Sequence, residues 1–300
     1  MLAPRTIHFH GTEMLWECIS SSRCECGSLD RENAEVFRPS ILGKSDPSDV
    51  EQWCSVVQQY SGLNATYPSD KLPALSGIAK HFQEKLKCNY MAGLWSNHLL
   101  RGLQWAVADG NKACRQLPYR APTWSWASLD MVTSDTDRHY GVRVTYALPE
   151  PIIRDKNLSV VSARIQRDGQ NPYGAVKEGG EIVLKGAFLI PWKAEVETEP
   201  VYPDGTKTIL ILHFEGAQKG IRVQPDVAIT SPPLDTLEQL FDARELRWLV
   251  FGEAYKRQYG LLLRLRNDQE EVYERLGMPS APLFLFDLKK ELEVAEFKIV

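Results

Sequence analysis

Two histidines and three cysteines fall within the first 26 residues. His8, His10, Cys18, Cys24 and Cys26 offer imidazole and thiolate donors of the kind that bind zinc. Cys24 and Cys26 are separated by one residue where a zinc knuckle has two, and no second well-spaced ligand pair follows. Unliganded thiols are therefore the expectation, and no metal is assigned. A nucleophilic cysteine needs a nearby imidazole or helix N-terminus to lower its pKa. Cys54 and Cys88, with His81 and His98, supply the residue types, but Cys54 falls on the apolar side of a predicted helix, where packing is the expected role. The carboxylate pairs Glu270/Glu271 and Glu291/Glu293 lie in charged stretches expected to face solvent, so no general acid–base pair is read there. The chain has no Gly-x-Gly-x-x-Gly fingerprint, Walker loop, His-Glu-x-x-His helix or Gly-x-Ser-x-Gly elbow. No catalytic residue and no cofactor is expected.

The most unusual segment is Tyr119-Arg120-Ala121-Pro122-Thr123-Trp124-Ser125-Trp126-Ala127-Ser128. In an extended strand Trp124 and Trp126 point to one face and Thr123, Ser125 and Ala127 to the other, so two indoles meet one core. A structural seam is the expected role, with a two-indole binding platform as the alternative. Arg120 is expected to pair with a carboxylate at that seam or to stack on an indole. The candidate binding residues are Trp95, Trp105, Arg120, Trp124 and Trp126.

The elements that position these residues follow from periodicity. Ile7–Phe9 and Met14–Trp16 read as short strands, and Ser20–Pro47 as a polar loop. Ser48-Asp49-Val50-Glu51 is a capping box, so a helix is predicted from there to Gly62, with Val50, Trp53, Cys54, Val57 and Tyr60 on one face. A second helix is predicted from Ser69 or Asp70 through Leu86, and a third from Gly93 to Val107. Beyond residue 140 the pattern changes to strands at Val142–Tyr146, Leu158–Ile165, Glu181–Leu189, Thr208–His213, Arg247–Val250, Tyr259–Leu265 and Val272–Arg275, with a short helix at Leu234–Ala243. The fold class is α+β: a helical layer with a short N-terminal hairpin, then a mainly antiparallel β region. The expected division is 1–47, 48–130 with the tryptophan-rich seam, and 131–300.

With 300 residues, 43% hydrophobic and 25% charged, the chain is long enough for a substantial core and too apolar for wholesale disorder. Lys+Arg of 35 against Asp+Glu of 39 leaves −4, so nucleic acid is not an expected partner. No apolar run approaches the roughly 18 residues of a membrane span, and no signal-peptide core is present, so a cytoplasmic location is expected.

Separated motifs, in order, carry a resemblance. They are Leu2-Ala3-Pro4-Arg5 with His8-Phe9 and Trp16-Glu17-Cys18, then Tyr67-Pro68-Ser69-Asp70-Lys71-Leu72-Pro73-Ala74-Leu75-Ser76-Gly77, then Tyr90-Met91-Ala92-Gly93-Leu94-Trp95 and the Tyr119–Ser128 segment. Tyr259-Gly260-Leu261-Leu262-Leu263 and Tyr273-Glu274-Arg275-Leu276-Gly277 complete the set. Together they resemble the fungal heterokaryon incompatibility (HET) domain proteins over residues 1–128 and 259–277. The resemblance implies a filamentous fungus and a part in non-self recognition and cell death after fusion of unlike cells. It also implies that the chain starts at the end of the HET domain, an α/β fold of the Toll/interleukin-receptor type. The part of that fold through which a relative could cleave a dinucleotide would then be missing, and no family catalytic residue carries over. The expected function is a non-enzymatic recognition or regulatory fragment that engages a protein partner. The alternatives are a small-molecule enzyme of secondary metabolism with a pocket lined by Trp95, Trp105, Trp124 and Trp126, and an inactive truncated gene product.

Overall fold

A computed structural model of the chain describes residues 5–9, 14–18, 21–27, 31–32, 48–63, 65–107, 113–131, 141–146, 153–201, 205–217, 219–223, 225–227, 242–282 and 292–300. The N-terminal strands β1 (Arg5–Phe9), β2 (Met14–Cys18), β3 (Ser21–Cys24) and β4 (Arg31–Glu32) form one antiparallel sheet in that order. The two expected strands are present, but the reading of Ser20–Pro47 as loop is corrected by β3 and β4. Ser21-Ser22-Arg23-Cys24 has no apolar alternation to announce a strand. It is extended because β2 templates it, Leu15 lying opposite Cys24 and Trp16 opposite Arg23.

Helix α1 (Asp49–Ser61) buries Trp53, Cys54 and Val57 of the predicted face and half-buries Val50 and Tyr60, and it buries Val56, which was not predicted. The capping box does not form: the Ser48 side chain makes no cap bond, and Glu51 is held instead by Arg101 at 2.5 and 2.6 Å. Helix α2 runs from Ser76 to Leu86, shorter than predicted. Pro68–Asp70 and Pro73–Leu75 are separate 3-10 turns before it, each opened by a proline, and Pro73 has no N–H to bond the carbonyl four residues back and join them into one helix.

The predicted third helix over Gly93–Val107 is overturned. That stretch holds β6 (Leu94–Trp95), which pairs in a hairpin with the preceding β5 (Tyr90–Met91), then a 3-10 turn at Ser96–His98, the one-turn helix α3 (Leu99–Gly102), and β7 (Ala106–Val107). Ala92 and Gly93 both have positive φ, 46° and 96°, which is the backbone of a two-residue hairpin turn. A run buried on every side fits both helical and strand periods, so spacing could not decide. Strands β8 (Ala113–Arg115) and β9 (Leu129–Met131) pair across the tryptophan segment. Within that segment Trp126–Ser128 is a 3-10 turn capped by the Ser125 hydroxyl, which corrects the expectation of one extended strand.

Past β10 (Val144–Thr145), which pairs with β7, the described residues are mostly antiparallel β structure. It comprises β11 (Ile153–Arg154), β12 (Ser159–Arg167), β13 (Val176–Leu189), β14 (Lys193–Val201), β15 (Gly205–His213) and β16 (Ile221–Val223). The last strands are β17 (Leu246–Ala254), β18 (Arg257–Asn267), β19 (Val272–Gly277), β20 (Ser280–Pro282) and β21 (Val294–Ile299). The predicted helix at Leu234–Ala243 lies outside the described residues except at its last two positions, where Ala243 opens a 3-10 turn.

Pairing closes a ring: β13 bonds β17 and β21, β21 bonds β19, β19 bonds β18, and β18 returns to β17. Five strands cannot alternate direction all the way around a ring, so one pair must run parallel. That pair is β19 with β21. β17 and β18 bury apolar side chains on both faces. Leu249, Phe251, Leu261 and Leu263 join the tryptophan core, whereas Leu246, Trp248, Val250 and Leu262 join Leu210, Leu212, Ile221 and Val223 of the β14–β15–β16 sheet. Burial on both faces explains the unbroken run Leu261-Leu262-Leu263. The helical and β regions thus meet in one continuous core. The fold is α+β with mostly antiparallel sheets. Among the described residues no helix is long and apolar enough to cross a membrane.

Candidate functional site

The β5–β6 turn is where the tryptophans converge. The Gly93 carbonyl accepts from Trp53 Nε1 at 2.9 Å and from Trp126 Nε1 at 3.2 Å. Beside it, the Ser125 hydroxyl donates to the Ala92 carbonyl at 2.6 Å, and Trp105 Nε1 donates to the Trp124 carbonyl at 3.1 Å. Trp53 packs edge-to-face on Phe82, Tyr90 and Trp95 with ring centroids 5.3–5.8 Å apart. Burial of Trp95, Trp105, Trp124 and Trp126 is almost complete, at 1%, 0%, 0% and 1% exposed. All four belong to the same core, so the structure brings the candidate tryptophans together as packing.

Around this core lies a shell of buried cations. Arg120 donates from Nε to the Ala127 carbonyl at 2.6 Å and from Nη2 to the Leu129 carbonyl at 2.6 Å. Its Nη1 reaches the Pro68 carbonyl and Asp130 Oδ2 at 3.0 and 2.9 Å. Of the two roles expected for Arg120, the structure shows the carboxylate partner. The stacked guanidinium belongs to Arg275, centred 3.3 Å from the Trp105 ring. Arg275 also donates to Asp226 Oδ2 at 2.6 Å, to the Leu103 carbonyl at 2.7 Å and to the Trp105 carbonyl. Burial pushes Arg275 down and Asp226 up from their ordinary pKa values, and each opposes the other's shift.

Arg115 ties β8 to the β19 strand: Nη1 donates to Ser128 Oγ at 2.6 Å and Nη2 to the Arg275 carbonyl at 2.6 Å. Its burial lowers its pKa to about 10. The Arg101–Glu51 pair links α3 to α1 in the same manner. Arg275 and Asp226 were not found from the sequence. The available signal was a charged residue inside Val272–Gly277, a strand buried at every position.

Lys71 is 4% exposed, and its Nζ donates to the Leu129 carbonyl at 2.8 Å. Burial, with the Arg120 charge second, lowers its pKa to about 8, against an ordinary 10.5. Between those values the unfolded chain binds the Lys71 proton and the folded chain does not. This contribution to stability therefore rises with pH from about 8 to 10.5. Relative to Lys71→Met, the wild type should gain on the order of 1–3 kcal/mol across that interval. Urea unfolding of both proteins at pH 7.5 and 9.5 checks this. Equal pH slopes would show that the ammonium is solvated.

Cys54 is buried on α1 and Cys88 is buried after α2, whereas His81 is exposed. Glu270 and Glu271 lie exposed in the β18–β19 turn; Glu291 is outside the described residues. Among the described residues no group of three or more His, Cys, Asp or Glu side chains could hold a metal ion. No protein-family model, curated protein or solved structure matches the chain.

Proposed function

We propose that the chain is a non-enzymatic recognition or regulatory protein related to fungal heterokaryon incompatibility, acting in the cytoplasm on a protein partner. The observation that supports this reading is the commitment of the seam's side chains to the protein itself. Arg120 and Arg275 each hold backbone carbonyls and a carboxylate, and the four candidate indoles are buried. Groups held in this way position the fold. The small-molecule enzyme reading would need those indoles to line an open pocket, and it is not preferred.

For a protein partner the surface offers Trp192, 64% exposed between β13 and β14, with Ile190 beside it at 45%. Its indole lies 5.6 Å from the His213 ring. Exposed tryptophans of this kind recur as anchors at protein interfaces. In a filamentous fungus, raised expression of the wild-type chain should reduce the viability of fused cells of unlike genotype. Trp192→Ser should weaken that effect while leaving the melting temperature unchanged, and the purified chain should not hydrolyse NAD. Equal effects of the wild type and Trp192→Ser, or NAD turnover that survives repurification, would overturn the proposal.

A further inference from the structure

We propose that Cys24 and Cys26 form a dithiol site that hydrogen peroxide converts to an intramolecular disulfide. Cys24 ends β3 and is buried; Cys26 lies two residues on, in the following turn, and is exposed. Their sulfurs are 2.9 Å apart, about 0.9 Å longer than a disulfide bond. Backbone bonds fix the turn: Glu25 N–H donates to the Met14 carbonyl at 3.0 Å, and Gly27 N–H to the Cys24 carbonyl at 2.9 Å. Gly27 supplies the left-handed step, with φ 71°. The one-residue spacing that departs from a zinc knuckle is thus the spacing that sets the two sulfurs side by side.

The difference in exposure sets the order of the chemistry. The Cys26 thiolate attacks a peroxide oxygen and the O–O bond breaks, leaving a sulfenic acid and a hydroxide that becomes water on taking a proton. The Cys24 sulfur then attacks the Cys26 sulfur. The S–S bond forms, the S–O bond breaks, and the second water leaves with the Cys24 proton. Two thiols and one peroxide give one disulfide and two waters, with two electrons passing from sulfur to oxygen.

The test uses the full chain, reduced, then treated with one equivalent of hydrogen peroxide and quenched with N-ethylmaleimide in urea, so that the buried Cys24 is labelled wherever it remains a thiol. Mass spectrometry of a digest should show the peptide spanning Cys24 and Cys26 lighter by two hydrogens and unlabelled at both positions, with labelling restored by dithiothreitol. In Cys26→Ser, the same treatment should leave Cys24 open to labelling. Phenylarsine oxide, which bridges paired thiols, provides a probe that needs neither oxidation nor a variant: one equivalent should protect both positions. The proposal is overturned if Cys26 stops at a sulfur acid while Cys24 is labelled, or if Cys26 pairs with a different cysteine. Stoichiometric zinc on the pair, or no protection by the arsenical, would also overturn it.

Discussion

Arg275→Ala should lower the unfolding free energy by about 3–5 kcal/mol, enough to unfold a domain of ordinary stability. The loss comes less from the ion pair than from what it leaves behind. Asp226, 2% exposed, would keep a buried carboxylate whose close guanidinium partner has gone. The Leu103 and Trp105 carbonyls would lose the donors that reach them from β19. Removing both charges separates these effects. Arg275→Met with Asp226→Leu should recover much of the stability lost by Arg275→Ala, because well-packed apolar groups often replace a buried pair at little cost. Urea denaturation of the three proteins checks this. A single variant within 1 kcal/mol of the wild type would mean that water reaches Asp226 and that Arg275 does not clamp the two regions.

Much of the architecture was legible because burial on one face leaves a period in the sequence. Trp53, Val57 and Tyr60 announced α1, and all nine predicted β segments overlap strands. β14 was missed although Lys193-Ala194-Glu195-Val196-Glu197 alternates charged and apolar residues, the period of a half-buried strand, because its apolar positions are few and its charged ones many; pairing with β15 makes the strand. β21 closes the ring from the far end of the chain, a long-range pairing that no local pattern encodes. The site was legible as residue types and opaque as contacts. The sequence singled out Arg120 and the tryptophans, but the partners of Arg120 come from Pro68, Ala127, Leu129 and Asp130. Arg275 lies about 170 positions from the Trp105 carbonyl that it holds. Such pairings arise from the ring and the helical layer meeting in one core, which spacing along the chain does not reveal.

Gly93→Ala should destabilise the chain about as strongly as Trp126→Ala, by roughly 3–5 kcal/mol, although it adds a methyl group where the other removes an indole. A Cβ at Gly93 would sit 2.6 Å from Trp126 Nε1, and the φ of 96° is a conformation L-residues rarely adopt. Backbone strain of this kind is worth on the order of 1–3 kcal/mol. Relief of the clash must come from moving either the indole or the turn. Moving the turn also withdraws the Gly93 carbonyl from Trp53 and Trp126, leaving two buried N–H groups without their acceptor at roughly 1–3 kcal/mol each. The two substitutions should therefore couple. In Gly93→Ala with Trp126→Ala the clash disappears and the φ strain remains, so the double variant should lose less than the sum of the singles by at least about 1 kcal/mol. Strict additivity in a double-mutant cycle would show that Gly93 and Trp126 act independently. A Gly93→Ala protein as stable as the wild type would show that the hairpin does not anchor the indoles.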